Sequence, residues 1–153
     1  MAKLPQKGVG RPSGAEYGRG LRTGLGVNVL TRDVPAQAAF LADVFEIEFL
    51  YFDDDFALAR TPDGAEFMLH HDRTYRGNAL LGVVLGSDEG GGVRGAGVEL
   101  RLYGVDPDAS VARAEAIDAV VLAPPEDKPH GLREAVIVDP EGYVWIPSRP
   151  LPD

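Results

Sequence analysis

The sequence predicts an α+β protein built from two copies of a β-α-β-β-β module, with curved mixed sheets and helices outside them. The hydrophobic pattern switches from strand to helix and back to strand twice, in the same order. The junctions also recur at matching offsets. Asp33 and Asp106, each at a strand-to-helix boundary, lie 73 residues apart, and the turns Pro62-Asp63-Gly64 and Pro140-Glu141-Gly142 lie 78 apart. The composition agrees: 153 residues, 44% apolar and 25% charged, suit one packed domain, with 19 glycines and 12 prolines concentrated in tails and turns.

The first 22 residues carry five basic side chains against Glu16, and their glycines and prolines interrupt any apolar face. Residues 1–22 are therefore expected to be a basic arm, either free or docked on the acidic remainder of the chain or on a partner subunit. Residues 25–31 (LGVNVLT) alternate and are rich in β-formers. Asp33 suits a helix N-cap and Pro35 a first turn, opening an alanine-rich helix to Phe45. Strands are expected at 46–52, 56–61 and 65–70, separated by Asp53-Asp54-Asp55 and Pro62-Asp63-Gly64. In the second copy, a strand at 98–103 precedes a helix from Asp106-Pro107 to about Ile117. Strands at 119–123, 134–139 and 143–148 follow, with 124–131 as a polar loop. The glycine-rich stretch 90–97 is expected to be a flexible linker, since it has no Lys-Ser/Thr and opens no helix.

Charge and composition exclude several functions. A net charge of −9 cannot displace the counterions condensed on nucleic acid, so no nucleic-acid partner is expected. Zero cysteines rule out disulfides, thiolate metal sites and cysteine nucleophiles. No apolar run is long enough to span a bilayer and the N-terminus lacks a signal-peptide core, so neither membrane nor export is expected and the cytoplasm is the default.

Two stretches carry a family resemblance. G-V-E-L-R-L-Y-G-V-D-P-D-A (97–109), within tandem β-α-β-β-β units, and above all H-G-L-R-E-A-V-I-V-D-P-E-G-Y-V-W (130–145) resemble the vicinal oxygen chelate superfamily. Its relatives include glyoxalases, bleomycin-resistance proteins and extradiol dioxygenases. The resemblance covers 25–151 and implies a single domain of this type over 23–151. Module one would occupy 25–71, a linker 72–96 and module two 97–151. It further implies a cleft lined by concave sheet faces, and a homodimer.

In metal-using members the ligands come from the first and last strands of each module. By resemblance those slots are Gly26, Met68, Glu99 and Ile146 here. Only Glu99 offers a hard donor, so no metal and no cofactor are expected. His70 and His71 are neighbours on a strand and point to opposite faces, so they cannot readily share an ion.

Strand parity then gives a candidate pocket. Val27, Val29, Phe67, Leu69, Val98, Leu100, Leu102 and Trp145 should pack on the helices. The opposite faces present Asn28, Glu66, Met68, His70, Glu99, Arg101, Tyr103, Val144 and Ile146 as ligand-binding candidates, with His130 at the rim. Glu99 and Arg101 share a face and should pair with each other or hold polar groups of a ligand. The expected function is metal-independent binding of a small organic molecule. The alternative is a glyoxalase- or dioxygenase-like enzyme, a lyase, isomerase or oxygenase with an altered or absent metal site. In its metal-free form Glu99 or His70 would be the general base and Arg101 would steady an oxyanion. A third possibility is an interaction module with a vestigial cleft.

Overall fold

A computed structural model describes residues 3–20, 24–76 and 94–152. After a short helix α1 (Gly14–Gly20), module one runs β1 (Asn28–Thr31), α2 (Val34–Phe45), β2 (Glu48–Phe52), β3 (Phe56–Arg60) and β4 (Glu66–His71). Module two runs β5 (Glu99–Tyr103), α3 (Pro107–Ala116), β6 (Val120–Asp127), β7 (Leu132–Val138) and β8 (Val144–Pro150). Each module forms a four-stranded mixed sheet, ordered β1-β4-β3-β2 and β5-β8-β7-β6. In both, the first strand pairs in parallel with the last and the remaining pairs are antiparallel. The duplication expected from the sequence is thus repeated in the topology.

The two module helices, α2 and α3, start as their sequences dictate. The Asp33 carboxylate accepts from the Ala36 amide at 2.9 Å, and Asp106 accepts from the amides of Asp108 and Ala109 at 2.9 and 3.1 Å. Helix α2 ends on Glu46, whose φ of 57° turns the chain sharply into β2.

The modules share one hydrophobic core. Phe45 of α2 and Phe67 of β4 each pack on Trp145 of β8 with ring centroids 5.8 Å apart. The D-P-E-G-Y-V-W segment belongs to this seam. One Asp139 oxygen accepts from the Glu141 and Tyr143 amides at 2.9 and 3.0 Å, which fixes the hairpin. The other accepts from the Trp145 indole at 2.7 Å and from the Gln37 amide of α2. Burial raises the Asp139 carboxyl above the usual range, against these four donors.

A second polar stitch lies nearby. Arg94 donates to the Leu30 carbonyl at 2.8 Å and to both Asp72 oxygens, and pairs with Glu141 at 2.9 Å. Glu141 also accepts from Arg32 of module one at 3.1 Å. Although burial opposes the Arg94 charge, Asp72 and Glu141 hold its pKa above the ordinary value.

The structure corrects several expectations. β6 continues through Pro124 and Pro125 to Asp127, because β7 begins at Leu132 and pairs with it. Val98 precedes β5 and is exposed rather than packed on the helix. The end of the glycine-rich stretch is no free spacer: Arg94 is buried, and a Cβ on Gly95 would lie 2.9 Å from the Tyr143 Cα. Its first part, 90–93, lies outside the described residues.

Candidate functional site

Side chains that alternate with the core build an open face on each sheet. On sheet one the register sets Asn28, Met68 and Leu58 in one row and Leu30, His70 and Phe56 in the next, with Glu66 opposite Arg60. The Asn28 amide donates to the Tyr75 hydroxyl at 2.9 Å. The His70 ring sits 5.0 Å from Phe56 and 5.4 Å from Tyr75. Glu66 pairs with Arg60 at 2.8 Å. A bulge between Phe49 and Tyr51 lets Leu50 and Tyr51 both line this side.

The N-terminal arm covers this face, so it docks on the acidic body of its own chain. The Gly8 amide donates to the Phe52 carbonyl at 2.8 Å, and Lys7 pairs with Asp54. The Arg11 guanidinium lies 5.9 and 5.7 Å from the Tyr51 and Phe56 ring centres, with a nitrogen 3.4 Å from Asp53. Ser13 and Glu16 cap α1 reciprocally: the Ser13 amide donates to the Glu16 carboxylate and the Glu16 amide to the Ser13 hydroxyl, both at 3.2 Å. Between arm and sheet lies a half-open cavity of about 1210 Å³. Leu50, Leu58 and Met68 give it an apolar floor; Glu16, Tyr17, Arg60, Asp63 and Glu66 supply polar groups. No module-two residue lines it.

Electrostatics on this face are set by burial and by Arg11. Burial first, and then the Arg11 charge, hold the His70 imidazole below its ordinary pKa, so it is neutral at neutral pH. Burial alone would raise Asp53. The Tyr51 hydroxyl, the Asp55 and Phe56 amides and Arg11 outweigh it, leaving the carboxyl below its usual value.

On sheet two, Glu99, Arg101 and Tyr103 stand opposite Val144, Ile146 and Ser148. Arg101 pairs with Glu99 at 3.2 Å and with Glu134 of β7, and its guanidinium lies 5.9 Å from the Tyr103 ring centre. Burial disfavours the Arg101 charge, but Glu134, Tyr103 and Glu99 outweigh it and raise its pKa. The His130 Nε2 lies 3.2 Å from Glu134. Ile146 is buried outside the main core cluster, on the open-face side of Trp145.

The sequence candidates therefore fall into two groups. Asn28, Glu66, Met68 and His70 share sheet one; Glu99, Arg101, Tyr103 and Ile146 share sheet two, with His130 in the turn between β6 and β7. Sequence reasoning did not single out Arg11, Tyr51, Asp53 or Glu134. The only signal for the first three was the charge contrast between the arm, at +4, and the rest, at −13, together with the Asp53-Asp54-Asp55 run.

The four slots that the resemblance implies hold Gly26, Met68, Glu99 and Ile146, and Glu99 is tied to Arg101. Among the described residues no three His, Cys, Asp or Glu side chains are placed to hold an ion. This donor set does not fit a metal centre.

No protein-family model matches the sequence, and no curated protein matches it either. Solved structures do match, several of them described as glyoxalase-related or glyoxalase/bleomycin resistance/dioxygenase proteins. A glyoxalase/bleomycin resistance protein/dioxygenase family enzyme from Burkholderia phytofirmans PsJN is 23% identical with a TM-score of 0.65, covering 82% of this chain and 97% of its own. TioX from Micromonospora sp. ML1 is 23% identical at a TM-score of 0.60, over 85% of this chain and all (100%) of its own. Lactoylglutathione lyase from Agrobacterium tumefaciens is 19% identical at a TM-score of 0.58, over 85% and 95%. The chain thus has the vicinal oxygen chelate fold in its tandem-module form, as the sequence resemblance implied. At these identities the likeness establishes the fold, and chemistry must come from the site.

Proposed function

We propose that the protein binds a small organic molecule on the open face of sheet one, without a metal ion. The carrying observation is the cavity of about 1210 Å³ between arm and sheet, with its apolar floor and converging polar groups. The absence of a donor set at the four slots supports the metal-free form. Met68 and Glu66 line this cavity and would contact the ligand; Asn28 and His70 stand on the same face outside its lining. No described helix is long and apolar enough to cross a membrane, and a cytoplasmic ligand-binding role is the reading we favour.

A homodimer is part of this proposal. Val120 and Leu122 leave large apolar groups exposed on the edge strand β6, which a second copy would cover. Leu122→Glu is then expected to shift the dimer toward monomer in sedimentation equilibrium.

A second reading, a metal-free enzyme, rests on the His130–Glu134 pair. A histidine hydrogen-bonded to a buried carboxylate beside Arg101 can take a proton while Arg101 holds an anion. The experiment that separates the two is a thermal-shift screen of small organic molecules on chelator-treated protein, followed by hits against His130→Asn. Binding without turnover, unchanged in His130→Asn, supports the first reading; turnover lost in that variant supports the second.

A further inference from the structure

We propose that the corner formed by Tyr51, Asp53 and Phe56 is a binding site for an organic cation, a guanidinium or amine on an apolar body, and that Arg11 fills it when no ligand is present. The proposal rests on the open face of sheet one being the binding face, and adds the class of ligand.

The corner is built without help from Arg11. One Asp53 oxygen accepts from the Asp55 and Phe56 amides, both at 2.8 Å, so the turn itself aims the carboxylate. The other accepts from the Tyr51 hydroxyl at 2.5 Å, and the Tyr51 side chain is buried. Phe56 is held between the Tyr51 ring at 6.1 Å and the His70 ring at 5.0 Å. Two ring faces and a fixed carboxylate are the elements of a cation cage. His70, neutral at neutral pH, adds no repulsion.

Arg11 shows what the corner accepts, and it is a loose occupant. Its guanidinium lies within 6 Å of both ring centres, yet its nearest approach to Asp53, 3.4 Å, is longer than a charge-assisted hydrogen bond. Its side chain is 58% exposed. Gly8 and Lys7 anchor the arm independently, so Arg11 can leave without undocking the whole segment. A ligand cation with an apolar body would gain the Leu50, Leu58 and Met68 surface, which lines the cavity together with Tyr51. The acidic body would draw such a cation in.

The test is calorimetric titration of the full chain with benzamidine, and with benzamide as its neutral counterpart. Competition by Arg11 lowers the apparent affinity of the wild type, so Arg11→Ala is expected to bind benzamidine about tenfold more tightly. Adding Asp53→Asn or Phe56→Leu to Arg11→Ala should lose that gain; Phe56→Leu keeps the turn if Asp53→Asn disturbs folding. Equal benzamidine affinity in wild type and Arg11→Ala, or benzamide binding as tightly as benzamidine, would overturn the proposal. So would no benzamidine binding to Arg11→Ala. If neutral molecules still bind the open face in that case, the broader binding function survives and only the cation site falls.

Discussion

Replacing Arg94 with methionine is expected to unfold the seam between the modules at a markedly lower temperature. The Arg94 side chain is 1% exposed, and its partners Asp72 and Glu141 are 6% and 7% exposed. Methionine fills much of the same volume, so the perturbation is chiefly loss of charge and donors. Glu141 keeps Arg32, whereas Asp72 loses its guanidinium inside the protein. Breaking a buried pair by removing one partner costs about 3–5 kcal/mol. In a chain of this size each kcal/mol moves Tm by about 2–4 °C, so a drop of about 10 °C is expected. Arg73→Met is the control. It removes a pair with Asp55 whose side chains are 45% and 48% exposed. Such a pair is worth at most about 1 kcal/mol. Calorimetric melting and urea titration of both variants would read the difference. An Arg94→Met protein melting within about 2 °C of wild type would refute the view that this network locks the two modules together.

Three further outcomes follow from the same physics. Because His70 has a depressed folded pKa, the unfolded chain takes up its proton first as pH falls through about 6.5. Stability should therefore be lost on acidification through the window below that value, and histidine NMR of Arg11→Ala should show the His70 pKa moving up toward normal. The Asp139 carboxyl is shifted the other way, so its contribution is largest when protonated and declines as pH rises from about 3.9 through its folded pKa. Asp139→Ala should nonetheless cost about 2–4 kcal/mol at neutral pH in urea titration, since two buried donors, Trp145 and Gln37, lose their acceptor. Gly95→Ala should destabilise clearly more than Gly104→Ala in thermal melts. Both have positive φ, 67° and 83°, but only Gly95 would drive its Cβ into Tyr143.

Topology was legible in the sequence because each module writes its own local code. The Asp33 and Asp106 caps, the Pro-x-Gly turns and the two-residue alternation are short-range signals, and β1, β4, β5 and β8 carry the facing residues where alternation placed them. β6 was cut short because Pro124 and Pro125 look like a loop. They sit in a register shift, and the pairing of Ala123 before them and of Glu126 and Asp127 after them with β7 is a long-range effect that local propensity does not report. The seam was hidden for a similar reason. Arg94, Asp72 and Glu141 meet only when the modules pack, and in sequence each resembles an ordinary surface charge. Of the site, the facing residues were readable one strand at a time. The arm was not: Gly8 and Lys7 meet Phe52 and Asp54, and Arg11 meets Tyr51, Asp53 and Phe56, all about 40 residues or more away. The charge contrast hinted at docking without saying where. The Asp139 motif, the most recognisable stretch, turned out to build the fold and not the cavity.

The most direct test is to screen chelator-treated, full-length protein against a library of small organic molecules while following the Met68 methyl resonance by NMR. Metal-free binding on sheet one predicts at least one ligand that perturbs Met68 and raises Tm, with the same affinity whether or not divalent ions are restored. Ligands that bind only after a divalent ion is added, or that leave Met68 untouched while shifting residues on sheet two, would contradict it.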